Sequence, residues 1–195
     1  MYLKFYNFKT SPFNVTSDSD FFFESSSHKE AINILLYGIN ERKGIILITG
    51  EVGSGKTTLC KALLNRLPKD TKTSVIFNPY FSDIQLLKAI VEDFGIQVEK
   101  KNRLDIVKKL NEFLLDINQR GLNAVLIIDE AQNLKPNQLE QIRLLSNLET
   151  TNYKLLQIVL VGQPELLEKL KQFNLRQIYQ RIFVKYNLIP LKEEE

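Results

Sequence analysis

The stretch Gly50-Glu51-Val52-Gly53-Ser54-Gly55-Lys56-Thr57 follows directly on the apolar run GIILIT at positions 44–49. It matches G-x-x-x-x-G-K-[ST] in full. This pattern requires a strand to end, the backbone to turn sharply and a helix to begin. Its glycines permit the tight turn that aims successive N–H groups at phosphate oxygens. The helix, expected from about Lys56 to Leu67, adds the partial positive charge of its N-terminus. Lys56 is placed to reach the β- and γ-phosphates of a nucleoside triphosphate, and Thr57 to hold Mg²⁺ through its hydroxyl. Gly50, Glu51, Val52, Gly53, Ser54, Gly55, Lys56, Thr57 and Thr58 form the expected nucleotide-binding set. A glycine turn with a purely structural purpose would require neither the lysine nor the threonine.

The rest of the chain repeats the strand-then-helix alternation. GIILIT (44–49), TSVIFN (73–78), NAVLIID (123–129), LLQIVLV (155–161) and IFVKYNL (182–188) are short, apolar and rich in branched residues. Such continuous runs fit strands covered on both faces, as in a parallel sheet. Between them lie helical patterns. Ser27-His28-Lys29-Glu30 reads as a capping box opening a helix that stops near Gly38, and Ser82-Asp83-Ile84-Gln85 as another. The second helix is expected to bury Ile84, Leu87, Ile90 or Val91, and Phe94. A third presents Leu104, Val107, Leu110, Leu114 and Ile117. Pro136 and Pro164 each suit the first turn of a helix. Strands alternating with helices predict an α/β fold. Residues 1–43 are expected to form an arm and a helix packing on a core at 44–195.

Two further strand ends carry chemistry. AVLIIDEAQN (124–133) ends its apolar run in Asp129-Glu130, and open α/β sheets bind ligands outside the carboxyl ends of their strands. Asp129 is placed to orient the Mg²⁺ shell, directly or through water. Glu130 can act as general base toward the attacking water. The plainer alternative is an acidic turn capping the next helix. The pair predicts an ATPase rather than a kinase or a switch GTPase. LLQIVLVGQPEL (155–166) ends in Gly162-Gln163-Pro164, where Gln163 either holds the attacking water and senses the γ-phosphate or merely caps the helix that Pro164 begins.

Composition limits the other options. With 195 residues, 44% of them apolar and 25% charged, the chain can bury a core and remain soluble. A net charge of +3 without a dense basic stretch gives little support to nucleic acid as a partner. The single cysteine, Cys60, reads as a small buried apolar residue. No run approaches the ~18 apolar residues of a membrane helix. The N-terminus MYLKFYNFKTSPF is broken by Lys4 and Lys9, so it is not a signal peptide. His28, the one histidine, reads as a surface or capping residue in the first turn of its helix.

At this point the sequence resembles the AAA+ ATPases of the general secretion pathway protein A family, with relatives in pilus and exopolysaccharide export. The resemblance is carried by SPFNVTSDSDFFFESSSHKEAINILLYGI, LITGEVGSGKTTL, LIIDEAQNL, EQIRLLSNLETTNYKLLQIVLVGQPEL and LRQIYQRI, in the family's order over most of the chain. Transposition ATPases share a weaker version. The resemblance implies a P-loop AAA+ core with a five-stranded parallel sheet, Gln163 at the sensor-1 position, and a nucleotide site completed by a neighbouring subunit. It also implies that Phe13, in the aromatic arm, and Gly38, beside Tyr37 and Ile39, border the adenine. Arg181, just before the last strand, corresponds to an arginine finger acting in trans, with Arg176 and Arg143 as competitors. Two departures stand out. Ser17 and Ser19 replace prolines usual in the family's arm, and the chain ends at LIPLKEEE, where the family continues into a helical lid. The expectation is therefore a core without its lid, the cytoplasmic part of a protein anchored in the inner membrane.

The leading functional expectation is a Mg²⁺-dependent ATPase that binds ATP and ADP, forms a homo-oligomer through its nucleotide sites, and energises or assembles envelope secretion or export machinery. The alternative is an ATP-dependent DNA-binding regulator of the transposition or origin-recognition type. It would call for basic pore residues or a winged-helix extension, and neither is visible. A helicase, suggested by the DEAQ string, needs a second domain for which there is no room. A nucleotide-binding scaffold without turnover is disfavoured by Glu130.

Overall fold

A computed structural model of the chain describes residues 2–7, 22–98 and 102–191. The described residues form a five-stranded sheet, all parallel, in the order β2-β3-β4-β1-β5. The strands are β1 Ile45–Gly50, β2 Lys72–Ile76, β3 Ala124–Ile128, β4 Gln157–Gly162 and β5 Ile182–Leu188. The helices are α1 Tyr2–Phe5, α2 Ser26–Asn40, α3 Lys56–Arg66, α4 Asp83–Asp93, α5 Arg103–Gln119, α6 Pro136–Leu145, α7 Pro164–Leu170 and α8 Arg176–Tyr179.

Strand side chains alternate between the two faces of a sheet, and β1 divides accordingly. Ile45 and Leu47 join a core with α4, α5, α6 and α7, while Ile46 and Ile48 join a second core with α2 and α3. The three inner strands β3, β4 and β1 are buried along their whole length, as their unbroken apolar runs predict. The expectation of two covered faces fails at β5. There burial alternates, and Phe183, Lys185 and Asn187 are exposed. The cause is its position at the sheet edge, with only β1 as a partner.

Helix existence follows the sequence pattern closely, and helix faces less so. Ser82 and Gln85 form the expected capping box of α4, and Pro136 and Pro164 open α6 and α7. However, α4 buries Leu86, Leu87, Ile90 and Val91, and leaves Ile84 exposed. Likewise α5 buries Ile106, Leu110, Leu114 and Ile117, while Leu104 is 78% exposed. In each case the buried face is rotated from the expected stripe, toward Leu86 in α4 and Ile106 in α5. The N-cap of α2 is Ser25, whose side chain accepts from the His28 N–H, so Ser27-Glu30 is not a capping box. Both residues instead take the Tyr186 hydroxyl of β5, at 3.2 Å from Ser27 Oγ and 3.0 Å from Glu30. In the aromatic arm, Phe22 packs against the α2–α3 core and Phe23 is exposed; Phe13 and Phe21 lie outside the described residues.

The helix α2 runs past Gly38, which is buried against β1. A Cβ there would stand 2.5 Å from Ile46 Cδ1, and Ile46 itself is fully buried. Gly38→Ala should therefore lower stability. Overpacking costs about 1–3 kcal/mol, against up to about 1 kcal/mol of helix propensity gained. Denaturant unfolding checks this, and an Ala variant more stable than the parent would show that Ile46 can turn aside.

Candidate active site

Because all five strands are parallel, their carboxyl ends share one end of the sheet, and the adjacency of β3, β4 and β1 brings three loops together there. The loop after β1 runs into α3. The loop after β3 carries Asp129 and Glu130, and the loop after β4 carries Gln163. A cavity of about 310 Å³ at this point is lined by Val52, Gly53, Gly55, Lys56, Thr57, Thr58, Glu130 and Gln163. A larger groove of about 630 Å³ between α5 and α6 is almost wholly apolar in its lining and holds none of the predicted site residues.

Lys56 is buried, and its Nζ donates to the carbonyls of Gly50, at 2.9 Å, and Glu51, at 2.8 Å. The ammonium thus lies back across the loop. Thr57 Oγ1 donates to Asp129 Oδ2 at 2.6 Å. The other oxygen of Asp129 accepts from the Glu130 N–H at 2.9 Å. Asp129 is almost fully buried. Burial raises its carboxyl pKa above the usual range, against the lowering effect of the Thr57 hydroxyl, the Glu130 N–H and the Lys56 charge. A group in this situation gains from a bound cation. The buried hydroxyl of Ser54 has no hydrogen-bond partner among the described residues.

Glu130 has φ 52°, in the left-handed region, and turns the chain from the β3 end into a short 3₁₀ turn, Ala131–Asn133. Non-glycine residues held this way cost about 1–3 kcal/mol and persist only where their surroundings enforce them. Those surroundings include Gln132, which the sequence reading passed over. Its Nε2 donates to the Glu130 carboxylate and its Oε1 accepts from the Gln163 N–H at 3.1 Å. A Cβ at Gly162 would lie 2.7 Å from that oxygen. Gln132 therefore joins the two strand ends. Its position in the DEAQN string was the available signal, but a residue two beyond Glu130 in a turn gives no hint of contact with β4. Gln163 occupies the N-cap position of α7 without a side-chain capping bond, and its side chain is free to face the cavity.

Other predicted residues lie elsewhere. Gly38 packs on Ile46 and does not line the cavity; its absent side chain serves helix packing. Phe13 lies outside the described residues. Arg181 is exposed and precedes Ile182, which pairs with Ile45 at the start of β1, so it sits at the opposite end of the sheet from its own phosphate loop. Arg143, a competitor for the finger role, is held by Glu140 in a bidentate pair at 2.6–2.9 Å. Arg176 stacks on Phe173 with 4.5 Å to the ring centroid. Cys60 is buried, and desolvation pushes its thiol far above the reactive range, as expected for an inert core residue. His28 corrects the surface reading. It is 3% exposed and lies under the phosphate loop, with Nε2 3.0 Å from the Ser54 carbonyl oxygen.

Comparison with known proteins bears on the family and the fold. Residues 39–170 match the family model of the AAA domain. The whole chain is 42% identical, over 196 aligned residues, to general secretion pathway protein A of Aeromonas hydrophila, and spans 36% of that protein. An uncharacterized ATP-binding protein of Methanocaldococcus jannaschii is 30% identical over 141 residues, which cover 54% of this chain and 35% of that one. Among solved structures, the Aeropyrum pernix ORC2 protein superposes with a TM-score of 0.67 at 18% identity, over 88% of this chain and 48% of that one. A Drosophila ORC chain, from a complex with DNA, gives 0.63 at 20% identity, over 86% and 44% of the two chains. At these identities the likeness concerns the fold alone. The chain spans between 35% and 39% of the curated relatives it matches.

Proposed function

The chain belongs to the AAA domain family, and on that premise we propose that it binds ATP with Mg²⁺ in the cavity at the strand ends and hydrolyses it to ADP and phosphate. The observation that carries this reading is the Thr57–Asp129 contact of 2.6 Å on the same cavity as Glu130. A hydroxyl and a buried carboxylate are hard oxygen donors of the kind Mg²⁺ prefers. When bound, the ion would supply positive charge against the β- and γ-phosphate oxygens. Thr57 would hold it directly and Asp129 through water.

The remaining roles fall to the chain's own groups. Residues 50–58 would cradle the phosphates, with Lys56 swinging from the Gly50 and Glu51 carbonyls to the β- and γ-oxygens. Glu130 would take the proton of the attacking water, and Gln163 would orient that water. Arg181 would serve the site of a neighbouring copy, which makes a homo-oligomer part of the proposal. Residues 1–43 would act as an arm and helix on the core at 44–195, with Phe13 on the adenine side.

The biological setting is proposed from the relative that matches along the whole chain, whose name places it in general secretion. We assign this ATPase to an envelope secretion or export machine, working from the cytoplasmic side where ATP is available. Among the described residues no helix is long and apolar enough to cross a membrane. The origin-recognition structures bear on the fold and give no ground to prefer DNA as partner.

Lys56→Ala is the direct test. Hydrogen bonds to charged groups contribute about 1.5–3 kcal/mol each, so losing two contacts to phosphate should weaken Mg·ATP binding by at least about a hundredfold. Calorimetry should show that loss with the circular dichroism spectrum preserved. Unchanged affinity would remove the loop from the binding site.

A further inference from the structure

We infer that His28 is a positioning residue for the phosphate loop, holding it in the shape that accepts a triphosphate. The inference rests on the reading that this loop binds nucleotide. The histidine stands in the first turn of α2, and its ring reaches the loop 26 residues further along the chain. Three neighbours hold the ring. Ser25 Oγ lies 2.7 Å from Nδ1, the Ser54 carbonyl oxygen lies 3.0 Å from Nε2, and Phe22 packs edge-on at 5.2 Å between centroids.

The chemistry of these partners fixes the tautomer. A carbonyl oxygen only accepts, so the proton of the neutral ring is on Nε2. Nδ1 is then an acceptor, and the Ser25 hydroxyl donates to it. That hydroxyl oxygen in turn accepts from the His28 backbone N–H at 3.4 Å. Ser25 therefore caps the helix and orients the ring at once.

The consequence for the loop follows from the planarity of the peptide unit. The Ser54–Gly55 bond is trans, like every described bond in the chain, so its C=O and N–H point in opposite directions. Holding the Ser54 carbonyl against His28 turns the Gly55 N–H away from the histidine. Gly55 lines the nucleotide cavity, so this peptide offers its donor there. If the peptide turned over, it would present a carbonyl oxygen to the phosphates instead. The same contact accounts for Gly55. Its φ is +84°, and a Cβ would stand 2.7 Å from His28 Nε2, so both backbone conformation and ring proximity exclude a side chain.

The role predicts an effect on nucleotide affinity that depends on the ring's donor. His28→Leu retains apolar bulk and removes the N–H. His28→Gln places an amide N–H at similar reach. Both are compared with the parent protein by calorimetry with Mg·ADP and by steady-state turnover of Mg·ATP. His28→Leu should weaken Mg·ADP about five- to tenfold, the equivalent of one hydrogen bond. It should raise KM similarly while leaving kcat within about twofold. His28→Gln should recover most of the affinity. Equal affinities for the two variants, whether both normal or both weakened, would overturn the inference. Should His28→Leu fail to fold, the ring ¹⁵N spectrum of the parent protein with Mg·ADP decides. An Nε2–H tautomer with a slowly exchanging proton supports the role, and an Nδ1–H tautomer overturns it. Loss of the binding reading itself looks different: Lys56→Ala would then bind as the parent does, whatever the His28 variants show.

Discussion

Arg181→Ala should be inactive alone and should regain turnover when mixed with Lys56→Ala. The register of the sheet is the reason. Arg181 precedes β5, whose first residue pairs with Ile45, whereas the phosphate loop begins at Gly50, paired with Leu188. At about 3.3 Å per residue the two ends of β1 are roughly 17 Å apart, so this guanidinium cannot serve the loop of its own subunit. It is exposed, and lowers the carboxyl pKa values of Glu140 and Glu149 only through longer-range attraction. Arg143 and Arg176 are already engaged, by Glu140 and by Phe173. Arginine fingers contribute about 10³–10⁵ in rate in related phosphate-loop enzymes. In the mixture, the Arg181→Ala subunit keeps an intact loop and the Lys56→Ala subunit supplies the arginine. Normal turnover by Arg181→Ala alone, or a mixture that stays inactive although mixed oligomers form, would remove Arg181 from this role.

Glu130→Gln should bind Mg·ATP normally and lose about 10²–10⁴ in turnover, the range for a positioned general base. The substitution keeps size and shape, and the amide oxygen can still accept from Gln132 Nε2. The left-handed backbone at Glu130 would be retained too. What disappears is the capacity to take a proton. Single-turnover measurement with bound Mg·ATP separates chemistry from binding. A variant with parental turnover would leave Glu130 as a helix-turn residue, the plainer of its two readings.

The phosphate loop, the acidic end of β3 and the five strands were legible in the chain because each is specified locally. A glycine turn, an apolar run and a capping serine act within a few residues, and the matching elements appear at nearly the expected positions. Even the convergence of Thr57, Asp129, Glu130 and Gln163 follows once the strands are known to be parallel, since strand ends then share one side of the sheet. What the local pattern left open was which surface each element meets. Ile84 and Leu104 sit at helix-compatible spacings yet face outward, because α4 and α5 are packed through faces rotated toward Leu86 and Ile106. Ser27 and Glu30 have the spacing of a capping box, but Tyr186, 159 residues beyond Ser27, takes both. Gln132 joins Glu130 to Gln163 only because β3 and β4 are neighbours. His28 looks like a surface residue until α2 lies against the loop and buries it beneath Ser54. Hydrogen bonds between distant segments leave no periodicity behind, so these residues acquire their roles only when the chain closes on itself.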